Sequence, residues 1–197
     1  MGEWFDMRTT EFSKYEIRKM GVKIAGEATF KSADCVGSME EELDVIVLSK
    51  KCRGVEVKKR PRGAGTGTLT VSLHMPYDIY CGMFDMARDD LIKGVQGYGS
   101  LNFHKEFALT MDVYNEDDEQ LLLAYPRCIC AVGPNTTVEN GAEEVAEIEM
   151  EISLMPDDNS YCRYECMPDD LDTEDADVAK NWMTEFTPEM VAATPTV

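Results

Sequence analysis

EIEMEISLM, residues 147–155, is the most regular segment of the chain and decides its predicted fold. Its apolar positions are Ile148, Met150, Ile152 and Leu154, and its glutamates are Glu147, Glu149 and Glu151. Since successive side chains of a strand point to opposite faces, this alternation predicts a β-strand with one buried face and one acidic face. The carboxylates would recur about 6.6 to 7 Å apart, which is twice the rise per residue.

Strand-like patterns recur in the part of the chain that precedes this segment. Further strands are predicted at residues 22–30, 43–48, 68–74, 107–114 and 120–132. The turn sequence NEDDE, residues 115–119, separates the last two and is typical of a hairpin. A chain of 197 residues with this pattern predicts one mainly β domain that is large enough to bury a core.

Two short helices interrupt the strands. Pro76 occupies a favourable first-turn position, and the apolar residues after it predict a helix that continues to about Met86, with a further turn at 89–95. Thr173 is a predicted N-cap for a short amphipathic helix in the acidic C-terminal part, which contains Trp182.

Charge is distributed unevenly along the chain. The formal net charge is −19, yet residues 1–62 hold 13 Lys and Arg against 11 Asp and Glu, whereas residues 63–197 hold 6 against 27. Seven cations and one glutamate lie within residues 50–62, and the cations are Lys50, Lys51, Arg53, Lys58, Lys59, Arg60 and Arg62. A strongly acidic surface repels its own copies, so a basic segment that docks on the acidic face of another copy would allow self-association and set its register.

The basic segment has a second interpretation, because KKRPRG at 58–63 could also bind nucleic-acid phosphates. No aromatic side chains that could stack on bases are interleaved with these cations, which favours docking on protein. The adjoining RPRGAGTGT, residues 60–68, contains one proline and three glycines and predicts a flexible loop or a hairpin tip.

Signatures of catalysis or metal binding are missing from the sequence. GxSxG, HExxH and P-loop motifs do not occur, and His74 and His104 lie on separate segments. The aspartates of 169–177 lack the glycine and the ligand spacing of a calcium loop. We therefore expect no catalytic residue, no metal and no cofactor.

The seven cysteines are expected to be reduced, because no export signal or membrane-spanning run is evident and the number is odd. They are Cys35, Cys52, Cys81, Cys128, Cys130, Cys162 and Cys166, and we interpret them as small buried apolar groups.

Four segments, taken in order, resemble the major tail tube protein of long-tailed, siphovirus-like bacteriophages and prophages of Gram-positive bacteria. They are VEVKKRPRGAGTGTLTVSLHMPYDIYCGMF, AYPRCICAVGP, ENGAEEVAEIEMEISLMPD and WMTEFTPEMV. The resemblance covers roughly residues 22–191 and depends on the order and extent of these segments.

The resemblance implies a β-sandwich or barrel with one flanking α-helix, an N-terminal arm and a long hairpin loop that reaches neighbouring subunits. It implies a domain at 21–186 that contains a basic inter-subunit loop at 50–68, preceded by an arm at 1–20 and followed by a flexible end at 187–197. Such subunits form stacked hexameric rings that conduct DNA during ejection. The lumen would be lined by Glu147, Glu149 and Glu151 or by strand 68–74.

Partners implied by the resemblance are further copies of the chain, the tape measure protein, the tail terminator and the tail-tip or baseplate proteins. Duplex DNA would pass through without specific binding, and no membrane would be involved. The expected location is the tail of the virion, with assembly in the host cytoplasm. Related tubes also occur inside contractile sheaths, so a surrounding sheath stays an open alternative.

Overall fold

The structure is a computed structural model that describes residues 12–192. Its strands are β1 Glu16–Ile24, β2 Lys31–Ser32, β3 Val36–Cys52, β4 Val55–Leu73, β5 Phe107–Tyr114, β6 Gln120–Cys130, β7 Ile148–Met155 and β8 Tyr164–Cys166. Its α-helices are α1 Tyr77–Met83 and α2 Ala176–Glu185, and short 3₁₀ turns occupy Pro168–Asp170, Thr173–Asp175 and Pro188–Val191. The predicted mainly β fold class is confirmed.

All the strands belong to one antiparallel sheet. The order is β2-β1-β5-β6-β7-β4-β3, and β8 adds to β6. β1 and β3 lie near opposite ends of this order and yet contact each other, so the sheet curls around a shared interior. Leu69, Val71 and Leu73 of β4 point into that interior and are almost completely buried, as are Met150 and Ile152 of β7.

A second, smaller core explains why Leu121 to Tyr125 of β6 are all buried. Leu121, Leu123 and Tyr125 belong to the main core, whereas Leu122 and Ala124 face outward and pack with Trp182 and Phe186. α2 therefore covers the outer face of β6. The helix predicted from Thr173 is present, although a 3₁₀ turn occupies Thr173–Asp175 and α2 begins at Ala176.

Strand β1 differs from the predicted strand at 22–30. It begins at Glu16, because residues from Glu16 onward pair with β5, and it ends at Ile24. Met20, Val22 and Ile24 point into the core, while charged residues occupy the other face. The predicted arm at 1–20 therefore overlaps β1 in its last residues, and residues 1–11 lie outside the described part of the chain.

α1 is shorter than predicted and ends at Met83 instead of Met86. Asp85 adopts a left-handed conformation with φ of 50°. The N–H of Asp85 donates to Gly82 O at 3.2 Å, and the N–H of Met86 donates to Cys81 O at 2.9 Å. This pair of hydrogen bonds is a Schellman motif, which closes the last turn and stops the helix.

The segment predicted as a loop at 60–68 is paired β-strand. β3 and β4 form a hairpin whose turn is Arg53–Gly54, where both residues have positive φ, 52° and 80°. Such a two-residue turn matches the natural twist of a hairpin. Pro61 is tolerated because β7 ends its pairing with β4 at Gly67, which leaves one edge of the strand unpaired there.

The predicted flexible end at 187–197 is partly described. Pro188–Val191 forms a 3₁₀ turn, and Met190 and Val191 pack against the core under α2. Residues 193–197 lie outside the described part. Among residues 12–192, no helix combines the length and the apolar character needed to cross a membrane.

Candidate interaction surface

The distal hairpin, residues 43–63, extends beyond the rest of the sheet. β4 is paired with β7 only from Gly67 to Leu73, so residues on the turn side of Gly67 pair with β3 alone. Nine residues of β3 beyond Leu43 correspond to roughly 30 Å of strand. The register shifts where the hairpin leaves the sheet, and there the Thr66 hydroxyl donates to Asp44 Oδ2 at 2.7 Å.

Both faces of the distal hairpin expose apolar side chains. Val45, Ile46, Val47 and Leu48 follow one another along β3 and are 58, 41, 53 and 54% exposed. Because neighbours in a strand point to opposite faces, this run gives each face two large aliphatic groups. A continuous apolar run of this kind is typical of a strand buried on both faces. The hairpin therefore has the composition of a strand that packs against protein on each side.

Most cations of the hairpin have no ion-pair partner among the described residues. Lys59 forms an ion pair with Glu56 at 3.4 Å, and within residues 12–192 the other six have no carboxylate within ion-pair distance. Lys50 lies directly opposite Lys58 in the ladder. Like charges in directly opposite positions destabilise a sheet unless counterions or another molecule offset them. The sequence predicted a basic surface here, and the structure brings the cations together on one hairpin.

An acidic face lies on the outer side of β3, β4 and β7. The register places Glu40 opposite Thr70 and Thr70 opposite Glu151, with Ser72 opposite Glu149 in the next row. Directly opposite residues share a face, so two rows of carboxylates flank a hydroxyl-bearing stripe of β4. Glu147, Glu149 and Glu151 are exposed, as their predicted place on the wet face of a strand requires.

Sequence reasoning missed Glu40 and Glu42 as members of this face. Both are exposed, and Glu42 lies opposite Thr68. In a strand, residues 40 and 42 of MEEEL, residues 39–43, share one face and residues 39, 41 and 43 share the other. The three consecutive glutamates hide this alternation, because Glu41 on the inner face is as polar as its neighbours. Two strands offered as alternatives for the lumen, 147–155 and 68–74, are hydrogen-bonded neighbours and share this face.

Glu41, the middle residue of that run, points inward. It lies opposite the buried Leu69 and forms an ion pair with Arg163. One Glu41 oxygen and the Tyr125 hydroxyl are buried without a hydrogen-bond partner among residues 12–192. Burial, reinforced by the Glu41 charge, raises the pKa of Tyr125 well above its usual value, so the phenol stays protonated. Tyr125 lies in the core, while Glu41 and Arg163 are partly buried at its edge.

The two histidines, His74 and His104, differ in exposure and in their contacts. His74 is exposed, and both ring nitrogens of His104 are hydrogen-bonded, Nδ1 to Cys130 O at 2.8 Å and Nε2 to the Tyr98 hydroxyl at 2.9 Å. Two surface clefts of about 400 and 420 Å³ contain neither histidine among their lining residues. Within residues 12–192, no three His, Cys, Asp or Glu side chains are grouped as metal ligands would be.

The prediction that all cysteines are small buried groups is wrong for two of the seven. Cys81, Cys128, Cys130 and Cys162 are buried and Cys166 is partly buried, but Cys35 and Cys52 are exposed. Cys52 is exposed because it flanks the hairpin turn. Burial raises the pKa of Cys130 to about 12, which keeps that thiol neutral and unreactive.

Among known proteins, this chain is similar to several solved structures. The chain matches no protein-family model and no curated protein. It is similar to the tube-terminating cap of the anti-feeding prophage, with 14% identity, coverage of 85% of this chain and 99% of that chain, and a TM-score of 0.38. A chain of the baseplate of the same particle gives 9% identity, coverage of 81 and 97%, and a TM-score of 0.42.

The sheath/tube terminator of PVC, an extracellular contractile injection system, is also similar. It gives 15% identity, coverage of 78% of this chain and 97% of that chain, and a TM-score of 0.37.

Proposed function

We propose that this chain is the structural subunit of a phage tail tube, which forms stacked hexameric rings around a lumen that conducts genomic DNA. One observation carries the proposal. The distal hairpin exposes Val45 to Leu48 on both faces, together with six cations that have no ion-pair partner in the described part of the chain, on a body that is otherwise strongly acidic. A surface with these properties is stabilised when it packs against protein of the opposite charge.

The acidic face of β3, β4 and β7 supports the lumen part of the proposal. Duplex DNA carries a phosphate charge about every 1.7 Å along its axis, so a wall of carboxylates repels it and prevents adhesion. Glu149 and Glu151 alternate with buried residues on β7, and Glu40 and Glu42 extend the same face on β3. In the tube, this face would line the passage.

The family resemblance supplies the remaining parts of the proposal, namely six-fold rings, the tape measure protein inside the growing tube, and terminator and baseplate proteins at its ends. The particle would be the tail of a virion assembled in the host cytoplasm. The chain acts in this proposal by packing and charge alone, and no catalytic step is assigned to it.

Electron microscopy of charge-reversed protein tests the proposal. Purified wild-type protein should form rings or tubes in negative stain, and Lys58→Glu, Lys59→Glu and Arg60→Glu together should abolish them. The matched control reverses three exposed cations elsewhere, Lys14, Lys19 and Lys180, and should assemble normally. Circular dichroism establishes that both variants are folded, and size-exclusion chromatography establishes that the hairpin variant is a monomer.

Two outcomes would overturn the proposal. Wild-type protein that stays monomeric under all conditions would remove self-assembly. Binding of duplex DNA with a steep salt dependence, lost in the hairpin variant, would instead favour a nucleic-acid-binding or regulatory module that uses residues 50–62.

A further inference from the structure

The end of the sheet opposite the hairpin carries a second group of exposed apolar side chains. Two connections meet there, 84–106 between α1 and β5, and 131–147 between β6 and β7. We call them together the loop end. They contact each other, because the Tyr98 hydroxyl lies against Gly133 and His104 is hydrogen-bonded to Cys130 O.

Large aliphatic and aromatic side chains of the loop end are highly exposed. Their exposed fractions are 79% for Ile92, 67% for Leu101, 78% for Phe103, 78% for Val138 and 82% for Val145. A connection of 23 residues without a strand or helix, such as 84–106, is uncommon in a compact domain and is usually functional. Exposed apolar groups on it indicate a docking surface.

Strand register places the hairpin and the loop end at opposite ends of one molecule. Leu73 of β4 pairs with Ile148, next to the 131–147 connection, whereas Gly67 pairs with Leu154 at the other end of β7. From Gly67 the strand continues away from the loop end into the hairpin. The hairpin therefore projects away from the loop end of its own chain. The hairpin of one copy can instead contact the loop end of another copy.

The two surfaces carry opposite charge. The loop end holds eight Asp and Glu against three Lys and Arg, and the distal hairpin, 43–63, holds seven Lys and Arg against two Asp and Glu. The acidic strand face could also attract the hairpin, but its outward residues are Ser, Thr and Glu. Since the hairpin needs apolar contacts on both its faces, the loop end fits it better.

We propose that the loop end receives the distal hairpin of a second copy of this chain. This inference rests on the proposed self-assembly and names the surface that completes the contact. One patch meets a different patch, so the contact is heterologous and leaves a free hairpin and a free loop end on every pair. A heterologous contact closes into a ring if the rotation between copies permits it and otherwise continues as an open array. Because the hairpin and the loop end lie at opposite ends of the molecule, the proposal assigns this contact to growth along the axis of a stack.

Disulfide trapping tests the contact, because Cys52 is an exposed thiol beside the hairpin turn. In a Cys35→Ser background, which removes the other exposed thiol, a cysteine replaces Leu101, Val138 or Val145 in turn. Mild oxidation of the assembled protein should give a ladder of linked chains for at least one of them. Thr68→Cys on the acidic strand face is the matched control and should give no ladder.

The form of the product separates the possible contacts. A heterologous contact gives a ladder, whereas a self-complementary contact between two hairpins stops at dimers and would overturn the proposal. Tubes that form normally but yield a ladder with Thr68→Cys, or with none of the loop-end cysteines, would also overturn it and leave the proposed function intact. Wild-type protein that never assembles would instead refute the proposed function.

Exchange of charges is a second measurement that needs no cysteine. Reversal of three exposed carboxylates, Glu139→Lys with Glu143→Lys and Glu144→Lys, leaves five Asp and Glu against six Lys and Arg and makes the loop end basic. This variant should lose assembly by itself, as should the hairpin variant with Lys58, Lys59 and Arg60 changed to Glu. A mixture of the two should recover assembly in light scattering, because each hairpin then meets a loop end of opposite charge. Two inactive variants whose mixture also stays inactive would contradict the contact.

Discussion

Gly67 is buried where the hairpin leaves the body of the sheet, directly opposite Leu43. A methyl group at this position would lie 2.6 Å from Glu42 O and 3.1 Å from Leu43 Cα. Both are backbone atoms, which cannot rotate away as a flexible side chain would. We predict that Gly67→Ala lowers the free energy of unfolding by about 1–3 kcal/mol, measured by urea denaturation.

Gly63 is the matched control for Gly67 on the same strand. Apart from its two chain neighbours, no atom of residues 12–192 lies within 4 Å of the position that its methyl group would take. Gly63→Ala should therefore change the free energy of unfolding by less than about 0.5 kcal/mol. Equal losses for the two variants would show that the close approach of β3 to Gly67 is not the constraint.

The environments of the three glutamates at 40–42 could not be predicted from the sequence. Three consecutive glutamates predict a uniformly solvated stretch, whereas the strand places Glu40 and Glu42 outside and Glu41 against Leu69. Arg163, the ion-pair partner of Glu41, is more than a hundred residues away in the chain, so no local sequence pattern identifies the pair. A buried charge of this kind is tolerated only because its partner is present.

Elements were predictable where local periodicity and packing agreed. Strand 107–114 has the predicted bounds, and the strands predicted at 120–132 and 147–155 correspond to β6 and β7. A long hairpin was implied, but the pairing of 60–68 as strand was missed, because glycine and proline normally mark loops and hairpin tips, whereas the turn lies at Arg53–Gly54. Within 60–68, pairing with β3 on a single edge tolerates Pro61, and Gly65 with φ of 78° accommodates the irregular register.

α2 contributes to stability through one side chain more than through its length. Trp182 is 1% exposed, and its indole N–H donates to Leu123 O at 3.0 Å. We predict that Trp182→Ala lowers the free energy of unfolding by about 3–5 kcal/mol, because it removes a large buried group from the outer face of β6. Urea denaturation followed by circular dichroism measures the loss.

Asn181→Ala provides the control for that prediction, since Asn181 is the exposed neighbour on the same helix. It should leave the unfolding transition nearly unchanged. Alanine is the stronger helix former, so a comparable loss for Asn181→Ala could not come from helix propensity and would contradict the assignment of the Trp182 effect to buried packing. Limited proteolysis of the C-terminal segment should rise in the Trp182 variant alone.

At the scale of the whole molecule, the arrangement of charges depends on strand order, which the sequence does not contain. The cations of 50–62 and the glutamates of 147–151 were visible as separate runs. That Glu40 and Glu42 join the acidic face follows only from the pairing of β3 with β4 and of β4 with β7. Long-range pairing of this kind is set by the packing of the whole domain.

The acidic face yields the last prediction, which concerns DNA passage. Glu149→Lys with Glu151→Lys should leave assembly intact, because both side chains are exposed and neither lies on the hairpin or in the loop end. In the proposed tube the variant would place cations in the lumen, where they attract phosphates, so DNA ejection from particles should slow. The slowing should diminish as salt is raised, since binding to phosphates weakens with ionic strength.

Kinetics of DNA release from particles that carry the variant subunit measure this effect, with a fluorescent dye that reports free DNA. Glu174→Lys with Glu185→Lys reverses two exposed carboxylates near α2, outside the acidic face, and is the matched control. If the two variants eject at the same rate as wild type, Glu149 and Glu151 do not face the passage. The two variants change the net charge by the same amount and differ only in where the reversed residues lie. If both variants slow ejection equally, the change in net charge is responsible and not the position of the carboxylates.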